Sequence, residues 1–73
     1  MKATILDYVR ITDETHKHFG RTGRLTDFDT IDGEHVLHFD KLTENGYVRQ
    51  TSESTRVYRE QVEKVSKLDL ERE

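Results

Sequence analysis

Apolar and polar residues alternate with a period of two along several short stretches of this chain, each bounded by turn-forming residues. In residues 4–12 (TILDYVRIT), Val9 and Ile11 fall on one side and Tyr8 and Arg10 on the other. Residues 23–29 (GRLTDFD), 35–40 (HVLHFD, with Leu37 and Phe39 inward), 47–51 (YVRQT) and 55–60 (TRVYRE) read in the same way. Asp32-Gly33 and Asn45-Gly46 are hairpin signals, because both central positions of a type I′ turn need positive φ. They predict antiparallel pairing of 23–29 with 35–40 and of 35–40 with 47–51. After a polar turn at 52–54, a single helical turn over 59–62 and a short strand over 63–67 complete the pattern. Val9, Ile11, Leu25, Leu37, Phe39, Val48, Val57, Val62 and Val65 are the expected core. The fold expected is all-β: a small five-stranded antiparallel barrel over residues 1–66, with 67–73 as a flexible C-terminal tail.

Composition narrows this picture. With 73 residues the chain makes one small domain, and 32% apolar residues without Trp leave its core thin. Charged residues reach 37%, yet the net charge is only −3, so the apolar runs suffice for folding. The absence of Cys excludes disulfides and thiolate metal sites. No apolar run approaches the roughly 18 residues of a membrane span. The opening MKATIL lacks the long apolar core and cleavage site of a signal peptide, so the expectation is a cytoplasmic protein.

One stretch stands out within this acidic chain. Residues 16–25 (HKHFGRTGRL) carry Lys17, Arg21 and Arg24, two histidines and two glycines, and no acid. Arginine's planar fork suits phosphates and carboxylates alike, while Phe19 and the nearby Tyr8 offer stacking surfaces. Three cations make a weak counterion-release contribution, and Asp27, Asp29, Asp32 and Glu34 follow closely enough to repel a polyanion. The plainer alternative is a solvated loop whose cations pair with those acids. The hairpin YVRQTSESTRVYRE adds Arg49, Arg56, Tyr47 and Tyr58, and Arg and Tyr are the residues that protein interfaces enrich. Its plain reading is cross-strand pairing with Glu53 and Glu60. His16 and His18 would share a strand face, but His35 and His38 would point to opposite faces, which argues against a four-histidine metal site. Each histidine reads better as a surface group titrating near neutrality. Ser occurs only at 52, 54 and 66, outside any G-x-S-x-G motif, and so small a domain offers no deep pocket, so no catalysis is expected.

Taken in order, YVRIT, a polar loop, GRTGRLTDFD, DGEHVLHFD and VYREQVEKV resemble an SH3-like barrel of the KOW kind. Gly20, Gly23 and Leu25 match that family's Gly-x-x-Gly-x-hydrophobic turn, and Val62 and Val65 match its closing element. The resemblance covers about residues 6 to 66 and implies a five-stranded barrel with a short helical turn before the last strand. It also implies weak RNA binding through the 16–24 loop. This chain departs from the family in its longer loop, which carries DETHKH, and in its acidic balance. The function expected is therefore a small non-enzymatic binding module for another protein, with RNA binding as the alternative. No cofactor, metal, membrane or small-molecule substrate is expected. The candidate binding residues are Lys17, Phe19, Arg21 and Arg24 in the loop, Tyr8 beside it, and Arg49, Arg56 and Tyr58 beyond.

Overall fold

The structure, a computed structural model, describes residues 6–29 and 33–73. Seven strands are found among them: β1 (Tyr8–Ile11), β2 (Thr22–Asp29), β3 (Glu34–His38), β4 (Lys41–Leu42), β5 (Val48–Arg49), β6 (Ser54–Tyr58) and β7 (Val62–Lys64). Five of them form one antiparallel sheet in the order β6-β3-β2-β1-β7, and β4 and β5 form a separate two-stranded hairpin. Single 3-10 turns lie at Arg59–Gln61, just before β7, and at Lys67–Asp69. The chain is all-β, and no helix among the described residues is long and apolar enough to cross a membrane.

Alternation fixes which side of each strand faces the core. Val9 and Ile11 on β1, Leu25 on β2, Leu37 on β3, Val57 on β6 and Val62 on β7 bury themselves with Phe39 in one cluster. Leu25 lies directly opposite Leu37, and Ile11 opposite Val62, so the pairing register brings these apolar residues together. Val48 and Val65, expected in the core, are only half-buried. Leu42 and Leu70 are buried instead, outside the main cluster, at 2% and 3% exposure.

The β2–β3 pairing is the one the sequence predicts. Of its Asp32-Gly33 turn, Asp32 lies outside the described residues; Gly33 has a φ of 75°. The second predicted pairing is corrected. Asn45-Gly46 does turn the chain, with Gly46 at a φ of 86°, but it joins β4 to β5, and the partner of β3 is β6 rather than residues 47–51. The strand break at Phe39–Asp40 and the irregular stretch 50–53 separate the two ladders. They stay linked by Phe39 N–H donating to Glu53 O and by Thr51 Oγ1 donating to Phe39 O.

Of the segment 67–73, expected as a flexible tail, residues 70–73 are docked. Leu42 N–H donates to Glu71 O, Glu73 N–H donates to Leu42 O, and Arg72 bridges Leu42 in parallel. A buried leucine and alternating acids, which read as a polar end in sequence, act here as an added edge segment.

Candidate functional site: the outer sheet face and the basic loop

Pairing register lines up the outward residues of the main sheet. Tyr8 faces Arg24, Arg24 faces His38, and His38 faces Ser54, forming a row across four strands. Arg10 faces Glu63 on one side and, on the other, Thr22, which is buried and accepts Glu71 N–H, while Val36 faces Arg56 and Glu34 faces Tyr58. Four of the eight candidate residues, Tyr8, Arg24, Arg56 and Tyr58, thus share one face. Lys17, Phe19 and Arg21 belong to the 12–21 loop, and Arg49 to the β4–β5 hairpin, away from that row. Arg10 and His38 belong to the face but are not among the candidate residues of the sequence reading. Their position follows from period two, yet only the register shows that they border Tyr8 and Arg24.

Several cations of the face and loop have partners within the chain. Arg24 Nε donates to Asp40 Oδ2 at 2.9 Å, and Asp40 is fully buried. Arg21 grips Glu71 with two bonds, Nε to Oε2 at 3.1 Å and Nη2 to Oε1 at 3.0 Å, and reaches Glu53 at 3.5 Å. Its guanidinium lies 3.8 Å above the Phe39 ring, and the His18 ring packs on the same phenyl group at 5.1 Å. The fork from Arg21 holds Glu71 below its usual carboxylate range, and Glu71 in turn lifts the pKa of Arg21. Arg56 stands 3.8 Å from Glu34, and Arg49 pairs with Glu73. Lys17 is exposed and, among the described residues, makes no ion pair; Phe19 beside it is 52% exposed.

Arg21 and Arg24 are thus largely covered: their side chains retain only 27% and 23% exposure. Their partners are Glu71, Glu53 and Asp40, all distant in sequence, whereas the side chains of Asp27, Asp29 and Asp32 lie outside the described residues. Local charge spacing could not have identified partners as many as 50 positions away.

The loop itself is built on Asp13. Its carboxylate accepts Thr15 Oγ1 at 2.7 Å, Thr15 N–H at 2.9 Å and Gln61 Nε2 at 2.9 Å. These bonds, the one from the Thr15 side chain foremost, pull its pKa down to about 2. Gln61 Oε1 accepts Tyr58 N–H at 2.8 Å, so one side chain ties the loop to β6. His16 makes a second tie. Its Nδ1 accepts His18 N–H at 3.0 Å, which places the neutral ring's proton on Nε2, 3.0 Å from Arg56 O. Together these contacts cover N–H and C=O groups that β6 would otherwise present at a sheet edge.

His35 departs from its expected surface role: it is 1% exposed, and burial, followed by the charge of Arg59, pushes its pKa down. No group of three or more metal-binding side chains is found among the described residues. No family model, curated protein or solved structure matches this chain.

Proposed function

We propose that this protein is a small binding module of SH3-like barrel form that docks another protein on the outer face of its main sheet. Chain geometry supports the barrel. β6 and β7 occupy opposite edges of the sheet, yet only Arg59–Gln61 separates them. A flat five-stranded sheet is about 19 Å wide. The four steps from Tyr58 to Val62 advance roughly 8 Å in a 3-10 turn, and even fully extended about 14 Å. So short a link favours a sheet curled until its edges approach. The 3-10 turn before the last strand is also what the KOW-like resemblance leads one to expect.

The observation that carries the docking reading is the alignment of Tyr8, Arg24 and His38 across three strands, with Arg56 and Tyr58 beside them. Tyr and Arg give large contact area together with hydrogen bonds, the composition of interface anchors. RNA binding through residues 16–24 is less well supported, because Arg21 and Arg24 would first have to leave Glu71 and Asp40.

Affinity capture from lysate, with and without nuclease, tests the reading. The expected result is a partner retained after nuclease treatment and lost from an Arg56→Ser, Tyr58→Ser variant that remains folded. Capture abolished by nuclease would favour RNA. Capture indifferent to the double variant would remove the outer face from consideration.

A further inference from the structure

The segment Leu70–Glu73 lies in a groove that reads it through separate features. Main-chain bonds with Leu42 join it to β4 by a single parallel bridge, Leu42 N–H to Glu71 O at 2.9 Å and Glu73 N–H to Leu42 O at 3.1 Å. Leu70, at the start of the segment, is buried, as is Leu42 on β4. The Glu71 carboxylate is forked by Arg21, itself stacked on Phe39, and Glu71 N–H donates to Thr22 Oγ1 at 3.1 Å. Lys41 adds a second positive charge near Glu71, and Arg49 meets Glu73 two residues on. Main-chain pairing for affinity, with alternate side chains in matched pockets for selectivity, is how sheet edges recognise extended peptides.

The segment can also leave without opening the core. Leu42 and Leu70 stand outside the main apolar cluster, and a short stretch with one buried apolar side chain opens at far less cost than the whole domain. Its departure would uncover Leu42, Thr22 and the Arg21 guanidinium together.

We propose that this groove is a docking site for an extended acidic segment of another protein, of the pattern Leu-acidic-x-acidic, added parallel to β4. Leu70–Glu73 fills the site in cis and holds it closed. The proposal does not rest on docking at the outer sheet face, and either can fail alone.

The full chain carrying Leu70→Ser and Glu71→Lys leaves the groove open, and a fluorescein-labelled peptide KLDLERE, residues 67–73, is the probe. Fluorescence anisotropy should show the peptide binding the open variant about tenfold or more tighter than the unaltered chain, with Arg21→Ala removing about tenfold of that gain. A folded open variant that fails to bind the peptide, or binds it equally without Arg21, overturns the proposal. If the open variant does not fold, amide exchange on the unaltered chain decides. Leu42, Glu71 and Glu73 should exchange by local opening, about a hundredfold or more faster than the sheet amides of Ile11 and Leu25. Exchange of all five only on global unfolding would make the segment part of the core fold and end the proposal.

Discussion

Arg24 and Asp40 carry the largest single-residue consequence. A carboxylate with no exposed surface depends on the cation beside it, and removing one member of a buried pair costs far more than the pair is worth. Arg24→Ala should therefore lower unfolding free energy by about 3–5 kcal/mol in urea titration, with Arg24→Ala, Asp40→Asn recovering a large part. A surface arginine would cost no more than about half a kcal/mol. The glycines separate two kinds of constraint. Gly20 has a φ of 88° and open space where a side chain would stand, whereas a Cβ on Gly23 would lie 2.1 Å from His38 O. Gly23→Ala should cost more than Gly20→Ala, for which about 1 kcal/mol is expected. Sequence reading finds both glycines but does not separate them; of the two, only Gly20 has a positive φ. Strand β2 passing close to the carbonyl of His38 is a tertiary contact, and nothing in GRTGR encodes it locally. The same holds for Asp40, an acid after an apolar run that reads as a strand end and is instead enclosed.

Elements were legible to the extent that alternation determines them. Extending the β4–β5 register would set His38 opposite Ser52, yet it faces Ser54, a slip of two residues absorbed over Gln50–Glu53. Because the slip is even, period two is preserved, and Val57 faces inward although the partner strand was misassigned. Thr51 holds the irregular stretch, donating to Phe39 O at 3.0 Å and accepting Glu53 N–H at 3.3 Å. Thr51→Val should cost about 1–2 kcal/mol and speed exchange of the Phe39 amide, which donates to Glu53 O. Leu37→Ala, at a fully buried site, should cost about 2–5 kcal/mol. Loss below half a kcal/mol would contradict the β2–β3 register.

For the whole molecule, acid should remove stability in two stages. His35 has a folded pKa below its ordinary 6.5, so the unfolded chain takes up protons first; its contribution is complete above about pH 6.5 and declines below it. Asp13, ordinarily at 3.8, titrates at about 2 in the fold, and Glu71 below its ordinary 4.5. Their contributions are complete above their unfolded pKa values and are lost as pH falls, Asp13's between about 4 and 2. Urea midpoints measured from pH 8 to pH 2 should show both stages. His35→Leu should erase the upper stage and Asp13→Asn should reduce the lower one. The candidate surface was legible as a set of Arg and Tyr residues, but not as a surface. Tyr8 and Arg24 become neighbours through long-range register, and Arg21 loses its freedom to an acid 50 positions later.

The place of β1, between β2 and β7, bears on how the molecule is made. Ile11 lies opposite Val62, so β1 waits for a strand that emerges only after β2 to β6. A nascent chain can assemble the β1–β2–β3 meander early, but one edge of β1 stays open until residue 64 has emerged. Val9 and Ile11 are then only partly covered, which makes this interval the one most exposed to misassociation. Refolding of the released chain should take milliseconds to seconds, as for other small domains dominated by non-local strand pairing, and substitutions in β7 should chiefly change its rate of unfolding.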